Sequence, residues 1–324
     1  MEHFLDRISL EGTRFEKLNS EIDFLGKDGK PLHLVVLAGV NGSGKTNLLN
    51  EIHSYRRKIG NPSYHFNYFS LDKRIFKKYV DKVIYEDGLT VKNAIDDINS
   101  KIFSLIPDFK VKIDRFSVNP NNDHFEVHFK NEFGDKFSST NSNVGNLSSG
   151  ESTLLGSIFR LYLEKLSDII ILIDEPEDSL HPSWQSKVVQ LYENYAKQNN
   201  CQIIMATHSP FILSAVKSEQ IRLLKRTPEG IKIEKIEEEI NGWTIERILQ
   251  YFMETEHVRD PKTDKEIAEL FEMMKSGNFN NDSFKERFAV LEQRLGYADR
   301  LSYTDKDMVS LRMELNRLQK NENN

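Results

Sequence analysis

The chain has 324 residues, of which 38% are hydrophobic and 29% charged, and its formal net charge is −6. That length suits one large domain plus a smaller one, and the charge excludes a uniformly basic nucleic-acid coat without excluding a local basic patch. No run approaches the ~18 apolar residues of a membrane span, and the amino-terminal MEHFLDRISLEG lacks a signal-peptide core. With one cysteine, Cys201, and so no internal disulfide, the expected setting is a reducing cytoplasm with no membrane partner.

In chain order, Phe4, Leu5, Ile8 and Leu10 predict a first strand and the stretch from Phe15 to Phe24 a second. Asp28-Gly29 and Pro31 follow as turn signals. Leu32 to Leu37 reads as a short buried strand. Gly39 to Thr46 then spells GVNGSGKT, and Asn47, Leu48, Leu49 and Ile52 begin a helical pattern. Strand, glycine-rich loop, lysine, hydroxyl and helix in that order make a phosphate-binding loop in its required context. Gly39, Gly42 and Gly44 lack a Cβ, so the backbone can curl round phosphates with its N–H groups turned inward. Lys45 supplies a positive charge for the β- and γ-phosphates, Thr46 a hydroxyl for Mg²⁺, and the helix N-terminus a partial positive charge. The whole segment, including Asn41, Ser43 and Asn47, is the expected cradle for ATP.

From Asn61 to Ser70 the sequence turns polar and aromatic. Between Arg56 and Lys82 eight basic residues (Arg56, Arg57, Lys58, Lys73, Arg74, Lys77, Lys78, Lys82) stand against two acids, Asp72 and Asp81. Two readings stand here, a solvated helical face and a surface for DNA or RNA phosphates, and local charge alone favours the first. Val91 to Ile106 predicts a helix with Ile95, Ile98, Ile102 and Leu105 on one side. The period then changes, and two or three antiparallel strands are expected from Val111 to Ser139, separated by NPNND and Gly134-Asp135. No sustained heptads, and so no long coiled coil, lie in this interval.

Asn146 to Ser152, NLSSGES, precedes an apolar helical run and makes a second phosphate-ready helix N-terminus. Ile169 to Ile173 is an apolar strand ending in Asp174-Glu175-Pro176. The first acid is placed to hold Mg²⁺, the second to accept the proton of an attacking water. A helix with Trp184, Val188, Leu191 and Tyr195 follows. Cys201 reads as core filler beside a further strand, Ile203 to Ala206, which ends in Thr207-His208-Ser209-Pro210. His208 falls on the same predicted sheet edge as Glu175, which favours a γ-phosphate contact.

The ordered set GVNGSGKT, NLSSGES, IIILIDEPEDSLHP and ATHSP resembles an ABC-type ATPase head. It is most similar to the soluble RecF/SMC/OLD-like branch, and EDSLHP favours that branch over membrane transporters. The resemblance covers about the first 240 residues. It implies that Lys45 and Thr46 bind phosphates and Mg²⁺, that Asp174 supports the metal, that Glu175 is the general base and that His208 senses the γ-phosphate. It also implies that Ser148, Ser149 and Gly150 close on ATP held by a second subunit, so ATP would join a head-to-tail homodimer or higher even oligomer. The sequence departs from the family in having no glutamine between Thr46 and Trp184. Asn67 or Asp72 is left to replace the Q-loop glutamine, and slow turnover is expected. Ser149 also stands where glycine is commoner.

Ile231 and Ile233 predict a last edge strand, and Glu234 to Glu239 a solvated link. From Gly242 the period is helical. The stripes are Ile245/Ile248/Leu249/Phe252, Ile267/Leu270/Phe271/Met274, Phe284/Phe288/Leu291/Leu295 and Met308/Leu311/Leu315/Leu318, and mutual packing is the expected use of each. Asp305-Lys306-Asp307 lacks the preceding buried strand that a nuclease acid pair needs. Gly242-Trp243-Thr244, Arg259 and the LRMELNRL ending resemble the C-terminal region of PtuA-type ATPases of Septu and retron-associated antiphage systems. In those systems the ATPase assembles with a separate HNH-type nuclease. The expected architecture is therefore α/β. A P-loop ABC-ATPase head over 1–239 carries an antiparallel β subdomain within an insert at about 50–146, and a helical region over 240–324 serves a partner or assembly. Two functions stand at this point: a regulatory ATPase of an antiphage complex, or a RecF/SMC-like DNA-binding ATPase in repair or maintenance.

Overall fold

The computed structural model describes residues 4–61, 63–66, 77–78, 80–82, 85, 88, 90–103, 111–119, 124–140, 143–144, 148–164, 166–255, 259–295 and 306–322. The chain divides into two compact units, Met1–Glu254 and Thr255–Asn324. The first begins with a hairpin of β1 (Arg7–Ser9) and β2 (Glu21–Asp23). Then come β3 (Leu34–Ala38), α1 (Lys45–Lys58), β4 (Tyr64–Phe66) and α2 (Val91–Phe103). After these come β5 (Lys112–Asn119), β6 (His124–Lys130), β7 (Lys136–Thr140) and β8 (Asn143–Val144). The unit continues with α3 (Ser149–Glu164), β9 (Ile170–Asp174), α4 (Pro182–Gln198), β10 (Gln202–Thr207) and the single turn α5 (Pro210–Leu213). It closes with β11 (Ile221–Thr227), β12 (Gly230–Lys235) and α6 (Ile245–Met253).

The frame is a six-stranded sheet in the order β12-β11-β3-β10-β9-β4. Every neighbouring pair is parallel except β11 and β12, which form an antiparallel edge hairpin. β3 and β10 are buried along their whole length, the pattern of parallel strands covered on both faces. Their side chains alternate between two cores. Leu34, Val36, Ile171, Ile173, Ile203 and Met205 join residues of α3, α4 and α6 on one face. Val35, Leu37, Ile170, Leu172, Ile204 and Ala206 join Leu48, Leu49 and Ile52 of α1 and the N-terminal Ile8, Phe15, Ile22 and Phe24 on the other. The second sheet, β5-β6-β7-β8, is antiparallel throughout, as its alternating pattern predicts. Asn99 of α2 clamps it, donating to Ile113 O (2.9 Å) and accepting from Ile113 N (3.0 Å).

Four readings change. The two N-terminal strands shrink to three residues each, because residues 11–18 fold as turns in which Thr13 donates to Leu10 O (2.6 Å). Part of the polar-aromatic stretch after α1 becomes the edge strand β4, paired in parallel with β9. β11, unmarked in the sequence by any alternation, fills the place between β3 and β12. The first C-terminal stripe belongs to the head: Ile248 and Phe252 of α6 are fully buried in its core, so the units part at 254/255 rather than 239/240.

The second unit consists of α7 (Pro261–Lys275), α8 (Asp282–Leu295) and α9 (Lys306–Glu322). Its core is Ile267, Leu270, Met274, Phe279, Phe284, Phe288, Leu291, Met308, Leu311 and Leu315, so the remaining three stripes pack on one another. Ion pairs Arg287–Glu269 (2.5 Å), Arg294–Glu266 and Arg312–Glu292 cross between the helices. Asp307 pairs with Arg259 at 2.5 Å, and Asp305 lies outside the described residues. Among the described residues no helix is long and apolar enough to cross a membrane.

Candidate functional site

Strand register assembles the site. Thr207 of β10 pairs with Ala38 of β3, and Ala206 pairs with Asp174 of β9. The residues just past these positions, Gly39, His208 and Glu175, therefore line up on one sheet edge. They span two strand spacings, about 10 Å. This is the carboxyl edge of a parallel sheet, where ligands bind in such folds.

The loop after β3 needs its glycines. Gly39 sits at φ 148° and Gly44 at φ 100°. A Cβ on Gly39 would lie 2.5 Å from Leu224 O, and one on Gly44 2.8 Å from Ile231 Cδ1. Gly44 is also the N-cap of α1, with no side-chain cap and no acid in the first turn. The opening N–H groups of α1 thus keep their capacity for an anion. Lys45 is buried and donates to Gly39 O (2.8 Å) and Val40 O (3.1 Å). Burial pushes its pKa down, opposed by the carboxylates of Glu175, Glu177 and Asp174. Ser43 is buried with its hydroxyl unpaired, while Asn41, Thr46 and Asn47 are exposed beside it.

Asp174 closes β9 with a buried Oδ1 that has no hydrogen-bond partner. An orphaned carboxylate oxygen next to a phosphate loop fits a divalent cation, with Thr46 as the hydroxyl ligand, and Mg²⁺ would there neutralise phosphate charge. Glu175 follows at φ 47°, a conformation that costs a non-glycine residue about 1–3 kcal/mol. Its N–H still makes the last ladder bond of the strand, to Ala206 O (2.9 Å), and its positive φ turns the chain off the sheet there. Glu175 Oε1 then meets His208 Nδ1 at 3.2 Å, with both side chains about one-third exposed (35% and 38%). EDSLHP has a local reason as well: Leu180 is buried, His181 accepts from Ser183 N to cap α4, and Pro182 takes its first turn.

Glu177 was passed over in the sequence. Its carboxylate is only 6% exposed and accepts from Thr207 Oγ1 (2.6 Å) and His208 N (2.9 Å). Burial pushes its pKa up, against these hydrogen bonds and the neighbouring His208. The signal for it was an acid three residues beyond an apolar strand, where a solvated side chain is the usual expectation. Gln185, the first glutamine after the P-loop, bridges Leu180 O (2.9 Å) and the Ser209 hydroxyl (2.5 Å). It thereby ties the two strand tips together.

The signature segment is partly described: Ser148, Ser149 and Gly150 lie within it, whereas Asn146 and Leu147 lie outside. Ser148 and Glu151 form a capping box in which Ser148 N donates to Glu151 Oε2 (2.8 Å) and Glu151 N to Ser148 Oγ (3.2 Å). Gly150 is pressed against the loop after Glu175, where a Cβ would stand 2.5 Å from Ser179 O. Asn67 and Asp72, the two candidates for the Q-loop role, lie outside the described residues, as do Lys73 and Arg74 of the basic stretch. Arg56 does not belong to any basic surface. It is buried within the α1 packing with Nε unpaired, and burial lowers its pKa. Cys201 is fully buried, as expected of core filler, and burial pushes its thiol pKa up.

A family profile described as "AAA domain, putative AbiEii toxin, Type IV TA system" matches residues 91–214, a span that holds the signature segment, Asp174, Glu175 and His208. The chain is 28% identical over 185 residues to the retron Ec83 probable ATPase of Escherichia coli, covering 52% of this chain and 31% of that protein. It is also 28% identical over 181 residues to the Septu protein PtuA of Bacillus thuringiensis, covering 50% of this chain and 45% of that one. The chain thus spans less than half the length of either relative. Among solved structures, an SMC head bound to the C-winged helix domain of ScpA aligns at TM-score 0.40 and 16% identity, over 67% of this chain and 93% of that one. With the phosphate loop, the acid pair and the histidine on one sheet edge and the helix opened by Ser148 beside them, the chain resembles, over the matched part of its length, the RecF/SMC/OLD-like branch of the ABC-type ATPases.

Proposed function

We propose that the protein binds and slowly hydrolyses Mg-ATP, and that it acts as the regulatory subunit of an antiphage defence complex. The observation that carries the hydrolytic part is the register that brings Gly39, His208 and Glu175 to one sheet edge within one residue of each other, with the Glu175 carboxylate on His208. Lys45 and the open N-terminus of α1 would hold the β- and γ-phosphates. Glu175 would take the proton from the attacking water, and His208 would face the γ-phosphate. Thr46 and Asp174 would hold the metal, which supplies charge neutralisation.

Ser148, Ser149 and Gly150 would meet ATP bound to a second copy, joining two heads around two nucleotides. The defence role is supported by the likeness to a retron ATPase and to a Septu protein. In the resembling systems a separate HNH-type nuclease is the effector, and the C-terminal helices 255–324 are the proposed region for holding such a partner or for assembly. The test is capture of the Glu175→Gln variant from its host with Mg-ATP, followed by mass spectrometry and nucleic-acid analysis. A stoichiometric nuclease is the expected result. Nucleic acid with no protein partner would replace this reading with a DNA-clamping ATPase of the repair type.

A further inference from the structure

We infer that Glu177 is a positioning residue for His208, the fixed member of a pair of carboxylates that hold one imidazole. The inference rests on the hydrolytic reading above. Three contacts carry it. Glu177 Oε1 accepts the Thr207 hydroxyl at 2.6 Å and the His208 backbone N–H at 2.9 Å, and it lies 3.5 Å from His208 Nδ1. The same Nδ1 is 3.2 Å from Glu175 Oε1.

A carboxylate offers only acceptors, so a ring nitrogen facing two of them carries the proton. That fixes the ring with Nδ1–H toward the acids and leaves Nε2 as the nitrogen for a ligand. The two acids differ in freedom. Glu175 is about one-third exposed and sits on a strained turn, whereas Glu177 is buried and bonded to the backbone of the histidine it faces. When Glu175 turns to a water molecule, Glu177 keeps the imidazole in place.

Burying a carboxylate costs several kcal/mol, and a neutral glutamine would accept the same two hydrogen bonds. Its second oxygen, Oε2, is buried with no partner at all. The charge is therefore poorly explained by the fold alone and well explained by the imidazole.

The test uses the full chain in two arms. In the first, ¹⁵N-histidine-labelled protein is examined by NMR without nucleotide, the His208 signals being assigned with His208→Ala. A protonated Nδ1 in wild type and shifted ring signals in Glu177→Gln are expected. A bare Nδ1, or ring signals unchanged by the substitution, would overturn the inference.

In the second arm, Glu177→Gln is expected to lower kcat for ATP by about tenfold to a hundredfold with KM unchanged, the scale of a misplaced reacting group. The same substitution made in His208→Ala should cost nothing further. Loss of equal size in both backgrounds would mean that Glu177 does not act through His208. If Glu177→Gln melts early, Thr207→Val, which removes one donor from the carboxylate, gives the same cycle with a smaller kcat loss. Absence of turnover in wild type would refute the hydrolytic reading, and the NMR arm would still decide this one.

Discussion

The proposed phosphate contacts come from two helix N-termini, and these start differently. α1 is capped by Gly44, in a left-handed conformation, with no side-chain cap and no acid in its first turn. α3 is preceded by Ser148, whose backbone and hydroxyl both donate to Glu151 (2.8 and 2.9 Å) while its Oγ accepts from Glu151 N. The orphan N–H groups of α1 are left for an anion, whereas those of α3 are partly satisfied within the chain. The first is open to an anion. The second is self-capped, with its serine already bonded to a carboxylate, so engaging a nucleotide there means exchanging that bond for one to phosphate. Under the proposed function, this asymmetry would let one head bind ATP first and a second head join it afterwards.

Substitutions at the two helix starts and the acid between them separate their roles. Glu175→Gln should show the largest effect, lowering turnover about 10²- to 10⁴-fold, the range of a lost general base, while nucleotide binding persists. Its ATP-loaded form should run as a dimer in light scattering; wild-type turnover from this variant would remove Glu175 from the mechanism. Lys45→Ala should weaken ATP binding by at least about a hundredfold in titration calorimetry, through loss of charge-assisted contacts to phosphate. Unchanged affinity would show that Lys45 at the start of α1 does not hold the phosphates.

Gly150→Ala acts on the other helix. Its methyl meets Ser179 O, so a loss of about 1–3 kcal/mol of stability is expected, together with loss of the ATP-dependent dimer. The smallest effect should come from Glu151→Ala, which opens the capping box at a cost of about 1 kcal/mol in thermal or denaturant unfolding. If ATP-driven dimerisation in that variant is no easier than in wild type, the cap does not compete with nucleotide.

How far the sequence reaches differs from region to region, for physical reasons. The P-loop, Asp174, Glu175 and His208 were legible because each lies within a few residues of an apolar strand, and a parallel sheet must put all such strand ends on one edge. Arg56 and Glu177 were misread or missed because a lone charge reads as solvated, and only long-range packing buries it. β4 and β11 had no pattern of their own, and each is a strand because a neighbour in the sheet offers it a ladder. The helical stripes after Gly242 all had the right period, yet period does not say which core a stripe joins.

The sequence by itself determined the glycine-rich loop, the strand-end acids and histidine and their order, since glycine, lysine, hydroxyl and acid at those spacings follow from local backbone geometry and charge. Tertiary structure alone decided the register that brings Glu175 to His208, the burial of Glu177 beneath them, the meeting of Gly150 with Ser179 and the boundary after Glu254. Those are contacts between residues far apart along the chain, set by how strands pair and cores fill, and nothing within a short window of sequence specifies them.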